Sequence, residues 1–287
     1  MKTTELFKYR QVFSLEVFPP KRTAAITEIY RALESLKDIA PDFISVTYGA
    51  GGSENSKATI EIASAIKNKY GVESVAHLPC VGLNKQEVLL FLKSLESEGI
   101  DNILALRGDI SPEDRLSGDF RHANDLITYI KENGDFSIIG ACYPEGHAES
   151  PSIEADIINL KRKVDAGANH LITQLFFDNQ YFYEFLERTR KAGINVPIEA
   201  GIMPVINPKQ IEKMVTLCRV DLPKKFLKIM ERYENNPVAM RDAGIAYAVD
   251  QIVDLIAHDV DGIHLYTMNN SFIAHKIYEA VASLVIA

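Results

Sequence analysis

The chain has 287 residues, 47% of them hydrophobic and 24% charged, with 39 acidic against 31 basic side chains and a net charge of −8. That balance, with no long Lys/Arg block, speaks against nucleic acid as a partner, and three widely spaced cysteines (Cys80, Cys142, Cys218) without CxxC spacing speak against a zinc site or a disulfide framework. No run reaches the roughly 18 apolar residues of a membrane span and MKTTELFKYR lacks the apolar core of a signal peptide, so a soluble, cytoplasmic chain is expected.

Eight short apolar runs recur along the sequence, at 12–18, 43–48, 74–80, 102–108, 137–143, 170–177, 197–204 and 261–268. Helical patterns fall between them. The first run ends in Pro19-Pro20, which cannot continue a ladder, and a helix is expected at about 24–39. The second ends in a glycine-rich loop, Gly49-Ala50-Gly51-Gly52-Ser53, with a helix at about 55–70. Further helices are expected at about 85–98, 123–132, 153–166, 180–192 and 208–217, many beginning beside a capping or turn residue. The stretch 223–258 is too long for one helix and is interrupted by Asn235-Asn236-Pro237, so it reads as two, an elaboration before the last strand. A helix at 272–285 ends the series. Strand then helix, eight times over, is the pattern of a single (β/α)8 barrel spanning 1–287. In such barrels the chemistry sits where the strands end.

Polar residues interrupt several of the strand runs. Glu16 lies inside Phe13-Ser14-Leu15-Glu16-Val17-Phe18. Burial favours the protonated form of a carboxyl, which suits a general acid; a structural ion pair would place the same residue there. Arg107-Gly108-Asp109 ends the fourth run, where glycine permits close approach of a ligand and the two charges either meet that ligand or bridge each other. Gln174 lies in the sixth run, and a buried amide needs partners. His77, Thr47, Tyr48 and Tyr143 are either site residues or ordinary strand residues. The Gly49–Gly52 segment lacks the third glycine of a dinucleotide fingerprint, since Glu54 stands there, so a Rossmann site is rejected. Asp156, Asn159, Arg162 and Lys163 recur at spacings of three and four and so share roughly one helical face, which either grips an adenosine pyrophosphate or is a solvated charged face.

Together these segments resemble the bacterial-type methylenetetrahydrofolate reductases. The matching motifs are FSLEVFPPK at 13–21, SVTYGA at 45–50, ALRGD at 105–109, NLKRKVDAGAN at 159–169, ITQ at 172–174 and GIMP at 201–204. They keep family order from the first strand to the seventh. The resemblance implies an FAD-dependent barrel that reduces 5,10-methylenetetrahydrofolate to 5-methyltetrahydrofolate with hydride from NADH or NADPH. It implies Glu16 as general acid and Asp109 as a pterin contact that tunes the flavin. Gln174 and Gln210 match folate contacts, and Thr47 and Gln174 nicotinamide contacts. Tyr48, Ala50, His77, Arg107, Gly108, Asp109, His122, Ala123, Tyr143, His147, Asp156, Asn159, Arg162 and Lys163 match flavin positions. His122 replaces a tyrosine of some relatives, Met214 an aromatic residue and Asn270 an arginine. The implied partners are a small-molecule folate and further copies of the chain, with no nucleic acid and no membrane; a separate partner subunit, as in some anaerobic relatives, is left open. Two other readings compete: a barrel flavoenzyme of the proline dehydrogenase type, and a non-catalytic flavin- or folate-binding subunit.

Overall fold

In the computed structural model, which describes residues 1–20, 26–48, 53–108, 118–207, 215, 218 and 220–285, the strands are β1 (Val12–Val17), β2 (Phe43–Val46), β3 (Glu73–Pro79), β4 (Asn102–Leu106), β5 (Ser137–Cys142), β6 (His170–Thr173), β7 (Ile198–Ile202) and β8 (Gly262–Tyr266). They form one closed parallel barrel in sequence order. β1 completes the ring by pairing on one side with β2 (Ser14 beside Phe43) and on the other with β8 (Ser14 beside His264). The (β/α)8 expectation is therefore correct. Every strand is shorter at its C-terminal end than the apolar run containing it, because the last residues leave the ladder to line the mouth. Gln174 consequently follows β6 rather than lying within it.

The helices are α1 (Ile26–Leu36), α2 (Ser53–Ser64), α3 (Lys85–Ser97), α4 (Ala123–Asn133), α5 (Ile153–Ala166), α6 (Asn179–Lys191), α7 (Lys224–Tyr233), α8 (Pro237–Ala257) and α9 (Ser271–Val285). α1 tightens into a 3₁₀ turn at Lys37–Ile39, and α2 widens into a π-helical turn at Ala65–Lys69. The 223–258 segment forms two helices as expected, with Asn236 capping α8 by accepting from the Ala239 N–H at 3.1 Å. The helix expected at 208–217 falls largely outside the described residues.

α3 shows how sequence becomes packing. Asn84 and Glu87 form a reciprocal capping box. Val88, Phe91, Leu92 and Leu95 then recur on one face and are buried against the barrel wall. Each such side chain contributes about 1.5–3 kcal/mol on leaving water. Inside the barrel a separate apolar layer, Val12, Phe43, Val75, Leu104, Ile139 and Ile172, fills the lower half. Leu6 and Phe7 of an N-terminal 3₁₀ turn (Thr3–Lys8) pack against it from below, with the Phe7 ring 4.5 Å from that of His170. The lower end is thus plugged; polar inward residues stand both in this half, as His170 does beside Phe7, and in the half above.

Candidate active site

Stepping by two along β1 places Val12, Ser14 and Glu16 on the inner face, one above the other. Val12 joins the apolar layer and Glu16 reaches a cavity of about 770 Å³ at the C-terminal mouth. The same step delivers His77 and Pro79 from β3, Leu104 and Leu106 from β4, Ala141 from β5 and Tyr143 just past its end, Ile172 from β6 and Gln174 just past its end, and Tyr266 from β8. Of the expected site residues, Glu16, Thr47, Tyr48, His77, Arg107, Gly108, Tyr143, His147 and Gln174 all line this one cavity.

The Glu16 side chain is 19% exposed, so it points into a polar site rather than into dry core. Its Oε2 lies 3.6 Å from His77 Nε2 and 3.7 Å from His264 Nε2. Burial pushes His77 down to about 4, so its imidazole is neutral, and among the described residues its Nε2 has no hydrogen-bond partner. An orphaned buried polar atom facing a cavity is available to a ligand. His264 is fully buried and bonded through Nδ1 to Ser14 Oγ at 2.6 Å. The Tyr266 ring stands edge-on to it, 5.3 Å away, and the Tyr266 hydroxyl donates to Thr173 O at 2.7 Å. Gly201 makes room for that ring, since a Cβ there would lie 2.9 Å from it and 2.3 Å from Thr173 O.

Arg107 forks onto Glu149, at 2.6 and 3.0 Å, a carboxylate that nothing in the sequence had paired with it; this bond holds the guanidinium above its ordinary pKa. Gly108 has φ +86°, and a Cβ there would meet Pro79 Cβ at 2.9 Å, so both the left-handed turn and the close approach demand glycine. Tyr143 stacks edge-on with His147 at 4.7 Å and has Lys163 Nζ 5.7 Å from its ring centre. Burial pulls both His147 and Lys163 below their ordinary values. The Gln174 carbonyl oxygen accepts from Leu175 N at 2.9 Å, which leaves its NH2 end for a ligand. Thr47 is tied by its N–H to Val17 O at 3.0 Å.

The four residues on α5 do not act alike. Asp156 is buried and accepts from Ser150 Oγ at 2.8 Å, and Lys163 turns inward to donate to Ala141 O at 2.8 Å. Asn159 and Arg162 stay exposed and bond each other at 3.1 Å. His122 is exposed at the start of α4, with its N–H on Asp125 Oδ2 at 2.9 Å, and Ala123 is buried behind it. None of these six lines the cavity. Asn270 accepts through Oδ1 from Ile273 N at 3.3 Å, at the start of α9. Ala50, Asp109, Gln210 and Met214 lie outside the described residues.

Sequence reasoning missed Ser14, Glu199, His264, Tyr266 and Glu149. The available signal was polar residues two apart in a strand run, Ser14/Glu16 and His264/Tyr266. It also missed the clamp that fixes Glu16. Thr267 Oγ1 donates to Glu16 O at 2.6 Å, Asn269 Nδ2 donates to Phe18 O at 2.8 Å, and Phe18 N donates to Asn269 Oδ1 at 3.0 Å. Asn269 sits at φ +57°, which asparagine tolerates better than alanine. Asn269→Ala is expected to cost about 2–3 kcal/mol, from two bonds of roughly 1 kcal/mol each plus backbone strain. Chemical denaturation measures it, and a loss below about 0.5 kcal/mol would remove the clamp.

A closed parallel barrel with a carboxylate and two histidines at its C-terminal mouth defines the class, a (β/α)8-barrel enzyme. The methylenetetrahydrofolate reductase family model matches residues 2–282. The chain is 37% identical over 264 residues to the 5,10-methylenetetrahydrofolate reductase of Pectobacterium carotovorum, covering 92% of this chain and 88% of that one. It is 36% identical to the Escherichia coli protein of the same name, with the same coverage. With the Arabidopsis thaliana protein described as methylenetetrahydrofolate reductase (NADH) 1 it shares 37% identity over 90% of this chain and 46% of that one. An uncharacterized Clostridium thermocellum protein, described as binding two copies of 5-methyl-5,6,7,8-tetrahydrofolic acid, shares the fold at a TM-score of 0.67 and 12% identity, covering 99% of this chain and 100% of that one. The chain belongs to the methylenetetrahydrofolate reductase family and is an oxidoreductase. Among the described residues no helix is long and apolar enough to cross a membrane.

Proposed function

We propose that the protein reduces 5,10-methylenetetrahydrofolate to 5-methyltetrahydrofolate, using bound FAD and a reduced nicotinamide. The observation that supports this best is the position of Glu16 in the cavity, with His77 and His264 3.6 and 3.7 Å from its carboxyl, in a chain of this family.

The cavity suits a flavin. It is large enough for a ring system with a second ring stacked on it, it is lined by Tyr48, Tyr143 and apolar strand residues, and the His77 Nε2 awaits a partner. Tyr48, His77, Arg107, Gly108, Tyr143 and His147 would hold the group, together with Ala50 and Asp109. His122, Ala123, Asp156, Asn159, Arg162 and Lys163 would serve its adenosine and pyrophosphate end. Bound FAD would supply a hydride store between the nicotinamide and the folate.

This chain's own residues supply the rest. Glu16 delivers a proton to the folate amine that leaves the methylene carbon, so that the five-membered ring opens to an iminium electrophile. His77 and His264 flank its carboxyl, and the Thr267 bond to its backbone fixes its height in the mouth. Gln174 offers its amide NH2, in turn, to folate and to nicotinamide, with Thr47 beside the latter. Asp109 and Gln210 would complete the pterin contacts. One catalytic barrel working in the cytoplasm as a homo-oligomer fits this chemistry.

Purified protein is expected to be yellow and to release FAD on denaturation. Anaerobic addition of NADH or NADPH should bleach the flavin, and methylenetetrahydrofolate should restore it. Protein that takes up no FAD, or a reduced flavin that the folate does not reoxidise, refutes the proposal.

A further inference from the structure

Beneath Glu16 the barrel carries polar groups where an apolar layer would pack more cheaply. Glu199 of β7 is fully buried. Its Oε1 meets Ser14 Oγ at 2.7 Å and its Oε2 meets His170 Nε2 at 2.8 Å. Ser14 Oγ continues to His264 Nδ1 at 2.6 Å, and His264 Nε2 stands 3.7 Å from Glu16 Oε2. Space for Glu199 is made by Gly262, where a Cβ would lie 2.9 Å from the Glu199 Cγ. The chain of contacts thus crosses β7, β1 and β8 and ends at the acid.

We propose that Glu199 is the proton reservoir for Glu16, joined to it by Ser14 and His264 acting as a relay along the inside of the barrel. The inference deepens the folate reaction proposed above and rests on Glu16 being its acid. That reaction takes one proton from Glu16 in each turnover, and the acid must be reloaded before the next folate reacts.

Two hydrogen-bond orderings of the same chain carry the transfer. In the first, Glu199 holds its proton on Oε1 and donates to Ser14 Oγ, Ser14 donates to His264 Nδ1, and the proton on His264 Nε2 faces the Glu16 carboxylate. In the second, Glu16 carries the proton, His264 is protonated on Nδ1 and donates to Ser14, and Ser14 donates to the Glu199 carboxylate. Passing from first to second moves one proton from Glu199 to Glu16 and changes nothing else. The 3.7 Å gap is too long for a hydrogen bond, so Glu16 must turn toward His264 to reload and toward substrate to deliver.

The surroundings favour storage on Glu199. Burial pushes its carboxyl up to about 8 and pushes His170 down to about 3, so the two meet as a neutral hydrogen bond rather than an ion pair. Among the described residues His170 Nδ1 has no partner; an orphaned acceptor costs less than an orphaned N–H, so the imidazole proton belongs on Nε2. His264 and the Ser14 hydrogen bond pull Glu199 down, while Asp42 and Asp261, held by Arg10 and Arg190, push it up to a lesser degree, and burial outweighs them all. Around Glu16 the facing groups are His77, His264 and the un-ionised Tyr266 hydroxyl.

The test compares wild-type, Glu199→Gln and Ser14→Ala holoenzymes in flavin reoxidation by methylenetetrahydrofolate between about pH 6 and pH 9, with melting curves to confirm folding. The variants should be slower by about tenfold or more at the alkaline end and by much less at the acid end, where solvent protons reload Glu16 directly. Ser14→Thr, which restores the hydroxyl, should recover part of the loss. In parallel, infrared difference spectra of the same proteins should show a protonated buried carboxyl that ionises on the alkaline side in wild type and is missing from Glu199→Gln. Wild-type-to-variant ratios that stay constant across pH, or a carboxyl band that persists in Glu199→Gln, overturn the relay. Wild-type protein that does not react with the folate fails the proposed reaction instead, and the infrared band still decides whether Glu199 stores a proton.

Discussion

Glu16→Gln is expected to abolish most folate reduction, by about 10²–10⁴-fold, while flavin reduction by nicotinamide continues. The substitution keeps the shape of the side chain and a hydrogen-bonding head, so the Thr267 and Asn269 clamps on the β1 end persist. It removes the proton that the leaving amine needs. Hydride passage from nicotinamide to flavin requires no such proton donor, which is why the two half-reactions should part company. Stopped-flow measurement of each half-reaction separates them. A folate rate close to wild type would take Glu16 out of the acid role, and an equal loss in both half-reactions would mark it as a structural residue of the mouth.

The second large effect is on stability. Gly244→Ala lies inside α8, where alanine alone would favour the helix by roughly 1 kcal/mol. Here the added Cβ would sit 1.8 Å from the Val205 carbonyl oxygen and 2.7 Å from its carbonyl carbon. Backbone cannot step aside as a flexible side-chain tip can, and overpacking of this kind costs about 1–3 kcal/mol and sometimes more. The clash therefore outweighs the propensity. We expect a net loss of about 2 kcal/mol or more, read as a fall of several degrees in Tm. Val205 lies two residues past Met203, which lines the cavity, so weaker folate binding should accompany the loss. A variant that melts at or above the wild-type temperature contradicts the close approach of α8 to this loop.

Much of the site was legible because strand periodicity is local. A carboxylate, a histidine, a tyrosine and an arginine near the ends of apolar runs mark the barrel mouth once the eight-fold rhythm is seen, and Glu16, His77, Tyr143 and Arg107 do line one cavity. The spacing on α5 was a weaker guide. Helical period placed Asp156 and Lys163 with Asn159 and Arg162, yet the barrel wall draws the first two inward and leaves the others in water. Glu199 was passed over although, like Glu16, it is a lone carboxylate in an apolar run; its link to Glu16 through Ser14 and His264 depends on contacts across strands that sequence period does not show.

The alternation of apolar runs with helical segments determined the barrel, and with it the end at which the chemistry lies, since both follow from side-chain period and chain direction alone. Tertiary structure alone decided the partners. Ser14 meets Glu199 across 185 residues and His264 across 250, and Arg107 meets Glu149 across 42. Those meetings depend on ring closure, which sets β1 against β8 and brings inward side chains from distant strands into one low-dielectric column.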